Sequence, residues 1–268
     1  MSKSKNLFKS TAFILTYFLL AGAVSAYPVD INGDLGDWGV TPFSHWQPDS
    51  LTARWQEDNY TGSGSFPNGG EDFDIETLYA DIDCDTGFLY LAVILSMPQA
   101  GVDDPYGRQG VHYFAGDIAL DLDNDSSTGE YGYEYGLGTH FDSVGQVLFN
   151  PDWELPSAAY GIPANTPSTM VDGTYVADGL IAYVNAGDLE GNGTDTYIIE
   201  ASILLSDLGV VLEEGDEIGV HFTIDCGNDV IDLDCPVGAP VPEPYTLLGI
   251  GMGLVVVTGV ARRKLSQR

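Results

Sequence analysis

The chain has 268 residues, of which 44% are hydrophobic and 11% aromatic, and its formal net charge is −31. Residues 27 to 240 contain 39 of its 40 acidic residues, and Arg54 and Arg108 are the only basic residues there. This charge excludes a protein that binds nucleic acid or anionic membranes, and the hydrophobic content excludes a disordered chain. The negative charge favours cations as partners, either as bound metal or as a solvating ion cloud.

The first 26 residues have the three parts of a secretory signal peptide. A lysine-containing start precedes an apolar core over residues 13 to 20, and Val24-Ser25-Ala26 supplies the small residues of a cleavage site. The apolar core is shorter than the ~20 residues that a membrane-spanning helix needs. We therefore expect signal peptidase to cut after Ala26, so that the mature chain begins outside the cytoplasm.

Short apolar runs bounded by Gly, Asp and Asn predict β-strands between the two ends of the chain. Ile75 to Ile82 and Phe88 to Leu95 flank a glycine-containing loop and predict a hairpin. The other predicted strands are 117–123, 131–137, 146–150, 175–184, 197–205, 217–224 and, more weakly, 230–233. Loops are expected over 56–71 and 151–165, and no long amphipathic helix is predicted in between.

These elements predict one all-β domain over residues 27–240. The fold class is an antiparallel β-sandwich of jelly-roll type, and a closed barrel is the alternative.

An aspartate-rich segment follows the strand predicted over 117–123. The alternation of side chains places the aliphatic residues of this strand in the core and its carboxylates outside. Adjacent carboxylates repel each other unless a cation neutralises them, and Ca²⁺ takes about six to eight oxygen ligands. The segment does not match an EF-hand, because Ser126 and Gly132 stand where that loop has Gly and Glu. We predict a Ca²⁺ site, with a solvated turn as the alternative; the candidate ligands are Asp121, Asp123, Asp125 and Glu130.

Three tyrosines alternate immediately after this segment. Tyr131, Tyr133 and Tyr135 would present their rings on one face of a strand. Aromatic faces suit carbohydrate binding, so these residues are candidates for a ligand platform. The alternative is that they pack in the core or against a second copy of the chain.

The chain has three cysteines, Cys84, Cys226 and Cys235. In an oxidising compartment we expect one disulfide and one remaining thiol. Cys226 with Cys235 is the short-range pairing, and Cys84 with either of them is the alternative.

No motif indicates catalysis. The sequence has four histidines and lacks a G-x-S-x-G elbow, an H-E-x-x-H pair and a phosphate-binding loop. Pairs of acidic residues are too numerous here to indicate a glycosidase. We therefore predict that the protein is not an enzyme.

Four segments carry a resemblance to a known family. They are DINGDLGDW at 30–38, TLYADIDCDTGFLYLAV at 77–93, GDIALDLDND at 116–125, and YIIEASILLSDLGV with EEGDEIGVHFTIDC within 197–226. Their order resembles that of family 9 carbohydrate-binding modules and their DOMON-like relatives. The resemblance implies a β-sandwich with structural calcium, an aromatic-lined sugar site in some members, and a core position for Trp38.

The last 28 residues, 241–268, also resemble a known signal. Pro242-Glu243-Pro244 is followed by an apolar span over 245–261 and by the basic cluster Arg262-Arg263-Lys264. This order resembles the PEP-CTERM sorting signal processed by the exosortases of exopolysaccharide-producing Gram-negative bacteria. The basic cluster would hold its end of a transmembrane helix in the cytoplasm, which leaves Pro-Glu-Pro on the outer face.

These features together predict an exported surface or matrix protein. It would be anchored in the inner membrane by its tail, processed by exosortase, and then held at the cell surface or in the extracellular matrix. Its expected module is calcium-stabilised and resembles a carbohydrate-binding domain, with exopolysaccharide as the candidate ligand. A purely structural matrix protein and a carbohydrate-active enzyme remain the alternatives.

Overall fold

The computed structural model describes residues 29–42, 46–48, 54–57, 71–105, 107, 109–156 and 166–238. The predicted signal peptide over 1–26 and the predicted sorting signal over 241–268 lie outside the described residues. The latter includes Pro242, Glu243, Pro244, Arg262, Arg263 and Lys264. No helix in the described ranges has the length and the apolar character needed to cross a membrane.

The described part of the chain is built of strands and short 3₁₀ helices. The 3₁₀ helices are Leu35–Trp38, Glu71–Phe73, Phe141–Ser143 and Leu205–Leu208. The strands are β1 (Arg54–Glu57), β2 (Ile75–Asp83), β3 (Phe88–Leu95), β4 (Val102–Asp103), β5 (His112–Tyr113), β6 (Ile118–Asp121), β7 (Tyr135–Leu137), β8 (Gln146–Glu154), β9 (Thr169–Asp178), β10 (Leu180–Gly187), β11 (Thr196–Leu204), β12 (Glu217–Thr223) and β13 (Val230–Pro236).

Two large antiparallel sheets pack against each other. One has the order β1-β2-β3-β11-β10, the other has the order β13-β12-β6-β7-β8-β9, and β4 and β5 form a separate two-stranded sheet. The predicted all-β, antiparallel sandwich is confirmed at this level. The predicted β2–β3 hairpin is also present, with Asp83 opposite Phe88 at its turn.

The main core lies between the two sheets. Alternate residues of the central strands point inward and are fully buried, as expected from the period of a strand. The five-stranded sheet contributes Leu78, Leu91 and Ile199, and the six-stranded sheet contributes Ile118, Leu120 and Phe222. Burial of each such side chain contributes about 1.5–3 kcal/mol to folding.

The N-terminal segment covers the outer face of the five-stranded sheet. Trp38 is 2% exposed, and its ring centroid lies 5.7 Å from that of Tyr79. The fully buried Glu200 of β11 holds the segment in place: Oε2 accepts the N–H groups of Asn32 and Gly33 at 2.9 and 2.5 Å, and Oε1 accepts from Trp38 Nε1 at 2.9 Å. The expected core position of Trp38 is confirmed.

The bent hairpin of β8 and β9 covers part of the outer face of the six-stranded sheet. Register shifts near Asp152 bend β8, and Trp153 and Met170 then pack on Ala119 of β6. Gly136 lies beneath these two side chains. A Cβ at this position would come within 2.3 Å of Met170 Sδ, so a larger residue would not fit. The close approach of the hairpin therefore depends on a residue without a side chain.

Two predicted strands differ from the observed ones. The strand predicted over 131–137 begins only at Tyr135, because Tyr131 has a positive φ of 59° and interrupts the extended backbone. The strand predicted over 175–184 is two strands that belong to different sheets and meet at Gly179. Asp178-Gly179 is the sequence signal of this crossing, because an Asp-Gly pair is typical of a turn between two strands.

Candidate metal site in a cleft

A cleft of about 1010 Å³ opens at the end of the sandwich where β6 ends and β12 begins. Its walls come from the β6–β7 loop, from β8 and from the loop before β12. The polar lining is Asp123, Asn124, Thr128, Glu134, Asn150, Asp216 and Glu217, and the apolar lining is Leu122, Tyr135, Phe149, Val210, Val211 and Leu212.

Three carboxylates meet at one wall of this cleft. Asp121, Asp123 and Glu134 each place one oxygen within 4.8 Å of the others. Asp121 ends strand β6, Asp123 stands in the following loop, and Glu134 immediately precedes β7, so the adjacent β6 and β7 bring them together.

The Thr128 hydroxyl lies at the centre of this group. Thr128 Oγ1 is 3.1 Å from Asp123 Oδ1, 3.2 Å from Asp123 Oδ2 and 2.9 Å from the carbonyl oxygen of Asp125, and it also contacts Glu134 Oε1. A hydroxyl carries one proton and can donate it to only one of these four oxygens. The group therefore contains more acceptor oxygens than protons to share among them. A hard cation bound between these oxygens would stabilise the group.

Asp121 is the carboxylate with an unused oxygen. The residue is 9% exposed, and within the described part of the chain its buried Oδ1 accepts no hydrogen bond. Burial raises the pKa of Asp121 above its ordinary value, and the neighbouring charge of Asp123 raises it further. A cation at this place would supply the missing partner.

Glu134 is a site residue that the sequence analysis missed. Its Oε2 accepts the N–H of Leu122 at 3.1 Å and its Oε1 faces Thr128, while burial raises its pKa. Within residues 131–136, Glu134 is the single carboxylate, and the other residues are tyrosine and glycine. A carboxylate in a segment of this kind, which is typically buried, was the signal that could have identified it.

Two of the four predicted ligands have other roles. The Asp125 carboxylate accepts the N–H and the hydroxyl of Ser127, so it stabilises the turn, and only its carbonyl oxygen reaches the acidic group. Glu130 Oε2 accepts the N–H of Trp153 at 2.8 Å and so attaches the β8–β9 hairpin. The structure thus brings Asp121 and Asp123 together and leaves the side chains of Asp125 and Glu130 outside the group.

The three predicted platform tyrosines do not share a strand face, which corrects that expectation. Tyr131 and Tyr133 pack against the outer cluster that contains Trp153, whereas Tyr135 is 9% exposed and belongs to the main core. The reason is the turn at Tyr131, which removes the period-two alternation. Tyr135 contacts Phe149 at 5.2 Å between ring centroids, and both line the cleft.

Cys84, Cys226 and Cys235 form no disulfide in this structure, which corrects that expectation. Cys226 lies in the turn before β13, and Cys235 lies five residues beyond Val230, the first residue of that strand, which is roughly 16 Å of extended chain. The Sγ atom of Cys235 lies 3.9 Å from the carbonyl oxygen of Ala80, and the exposed Cys84 follows the end of β2, four residues or about 13 Å of chain beyond Ala80. A disulfide needs Cα atoms within about 7 Å of each other.

The described histidines are each paired with a carboxylate. His112, His140 and His221 contact Asp103, Asp117 and Asp232 at 2.7, 3.1 and 2.6 Å, respectively. His221 also directs its other ring nitrogen to a backbone carbonyl at 3.1 Å. These rings therefore support loops and strands by hydrogen bonds.

Comparisons with protein-family models, with curated proteins and with solved structures give no match to this chain.

Proposed function

We propose that the protein is an exported, non-enzymatic calcium-binding module that binds a carbohydrate in its cleft. The observation that carries the proposal is the oxygen-rich group of Asp121, Asp123, Thr128 and Glu134 with its unpartnered buried oxygen. Ca²⁺ is the favoured ion, because the group offers only oxygen atoms and lies on a chain with a formal charge of −31.

The lining of the cleft supports a carbohydrate ligand. Phe149 is 37% exposed and stands beside Tyr135, which gives an apolar surface next to the carboxylates. Asn124 and Asn150 add polar groups, and Asn124 Nδ2 is held by Glu217 at 3.3 Å. Sugar sites combine such aromatic surfaces with a few polar groups.

The resemblance of residues 241–268 to a sorting signal supports the proposed location. A chain exported with signal peptidase and anchored transiently in the inner membrane would be processed by exosortase at the Pro242-Glu243-Pro244 motif. It would then stay at the cell surface or in an exopolysaccharide matrix. The finer fold assignment, a jelly-roll resembling family 9 modules, is part of the same proposal.

A purely structural matrix protein is the second candidate. It is favoured by the packing of Tyr131, Tyr133 and Tyr135, which leaves no three-ring platform. Such a protein would bind cations and other copies of itself but no glycan.

Retention of the full-length chain on immobilised polysaccharides, in mild detergent with Ca²⁺ or with EDTA, tests the proposal. We expect retention that requires Ca²⁺ and is lost in Asp123→Asn and in Phe149→Ala, while Asp142→Asn, at an exposed site, behaves like the wild type. Absence of retention on every polysaccharide, including exopolysaccharide from the host, would reject carbohydrate binding and favour the structural candidate.

A further inference from the structure

A second group of carboxylates lies at the opposite end of the sandwich. Glu71 and Asp74 precede β2, Glu76 is in β2, and Glu190 is in the loop between β10 and β11. Ile75 is the first residue of β2, and its N–H donates to Asp229 Oδ2 in the turn between β12 and β13. The group therefore lies at the end of the sandwich where β12 ends. The cleft is at the other end, where β12 begins.

The oxygen atoms of this group are close together. Glu71, Asp74 and Glu76 place one oxygen each within 4.8 Å of the others. The amide of Asn192 donates to Glu71 Oε1 at 2.5 Å and to Glu190 Oε2 at 2.8 Å, which draws the fourth carboxylate to the same place. The group therefore joins the segment before β2 to the β10–β11 loop.

Glu76 is directed into the group by the backbone. The pairing of β2 with β3 passes from Ile75 opposite Leu95 to Thr77 opposite Ile94, so Glu76 is the extra residue of a β-bulge. Bulges redirect a side chain and are frequent beside functional sites. Glu76 is only 3% exposed, and its Oε1 accepts no hydrogen bond from the described residues.

The carboxylates of this group lie close enough together to repel one another. Burial raises the pKa of Glu76 well above its ordinary value, and the charges of Asp74 and Glu190 raise it further. Burial and the same two neighbours also raise the pKa of Glu71.

We propose that Glu71, Asp74, Glu76 and Glu190 bind a second divalent cation of the oxygen-preferring class to which Ca²⁺ belongs. The ion would satisfy Oε1 of Glu76, neutralise the mutual repulsion and fasten the β10–β11 loop to the edge of β2. The site is independent of the proposed carbohydrate function, since it shares no residue with the cleft.

Trp46 makes this site separately observable. Its Nε1 donates to Glu190 Oε1 at 3.2 Å, so the indole ring lies beside the group. Tb³⁺, a luminescent substitute for Ca²⁺, would be sensitised by this tryptophan. The titration is best made on the full-length chain with Asp123→Asn, in which the first group of carboxylates is disabled.

In that background we expect saturable, tryptophan-sensitised Tb³⁺ luminescence that Ca²⁺ displaces. Glu76→Gln should weaken the affinity by more than roughly tenfold, as for loss of a metal ligand. Glu154→Gln, a matched change of an exposed glutamate, should leave it unaltered. Glu190→Gln is the second variant, because its half-buried position makes it less dependent on folding.

Circular dichroism establishes that each variant is folded. Loss of Tb³⁺ binding in folded Glu76→Gln or in Glu190→Gln supports the site. The proposal is overturned if the Asp123→Asn protein binds no Tb³⁺, or if the folded variants bind it as tightly as their parent. If the protein binds the ion at this second group but not in the cleft, only the proposed calcium site of the cleft is rejected.

Discussion

At the scale of single residues, the two acidic groups owe their properties to burial. Asp121 and Glu76 are almost fully enclosed, and each has one carboxylate oxygen without a hydrogen bond from the described residues. A buried charge without a partner is costly, so either a proton or a cation must be bound. Which of the two is bound depends on pH and on the concentration of metal.

The first prediction concerns Glu134. Glu134→Gln removes the charge but keeps the shape, so we expect Ca²⁺ affinity to fall by more than roughly tenfold. Stability without Ca²⁺ should stay close to that of the wild type, because the Gln oxygen can still accept the N–H of Leu122 and its amide can donate to Thr128 Oγ1. Calorimetric titration and urea unfolding measure the two quantities, with Glu154→Gln as the control. Unchanged affinity in the folded variant would remove Glu134 from the site.

The second prediction concerns pH in the absence of metal. The pKa values of Glu76, Asp121 and Glu134 are raised by folding, so the folded state binds more protons than the unfolded state at pH above about 4.5. Stability should therefore be greatest at low pH within this window and should fall as pH rises, by up to ~1.4 kcal/mol per pH unit for each proton. Urea unfolding in EDTA between pH 5 and pH 8 measures this slope.

Glu76→Gln should make that slope shallower, because Gln has no proton to lose. Addition of Ca²⁺ should also reduce it, since the ion replaces the protons. A wild-type slope of the opposite sign, with stability rising over this window, would contradict the account.

At the scale of elements, each sheet has a cover on its outer face. The N-terminal segment is held by Glu200, and the β8–β9 hairpin is held by contacts around Gly136. The covers explain why residues that point away from the main core are buried as well. They also explain why Trp38 and Trp153 are buried on opposite sides of the sandwich.

The third prediction tests the first cover. Glu200→Gln replaces two acceptor oxygens, which receive three N–H groups, by one oxygen and one amide nitrogen. At least one buried donor then loses its partner, which should cost about 1–3 kcal/mol. Chemical denaturation measures the loss, and Glu154→Gln is again the matched control. Equal stability of the two variants would show that the carboxylate does not hold the segment.

The fourth prediction tests the second cover. In Gly136→Ala the new methyl group meets Met170 and the ring of Trp153, so the hairpin must shift outward. We expect red-shifted tryptophan emission and a loss of about 1–3 kcal/mol of stability. Gly238→Ala is the control, because nothing lies within 4 Å of a Cβ there. Identical emission of variant and wild type would contradict close packing at Gly136.

At the scale of the whole molecule, the sequence predicts what depends on local alternation. The hairpin of β2 and β3, the inward aliphatic residues of β6 and the all-β sandwich follow from short-range patterns and agree with the structure. Asp121 and Asp123 were predicted as ligands for the same reason, since they alternate along one strand.

Features that depend on the path of the chain could not be predicted in this way. Glu134 joins the acidic group only because β7 pairs with β6, and Glu76 is redirected only by its bulge. The turn at Tyr131 breaks an alternation that the sequence continues. The positions of Glu134 and Glu76 follow from tertiary pairing, which a single sequence does not display, whereas the turn at Tyr131 is local and lies between Gly129 and Gly132.

The most direct test of the account is thermal unfolding of the full-length chain with Ca²⁺ and with EDTA at equal ionic strength. An ion bound only by the native state adds about 2.7 kcal/mol at a hundred times its Kd, which raises the unfolding midpoint by several degrees. We expect this increase in the wild type and in Asp142→Asn, and a smaller one when Asp121→Asn and Asp123→Asn are combined. An unchanged wild-type midpoint would contradict it, because the acidic groups would then be features of solvation alone.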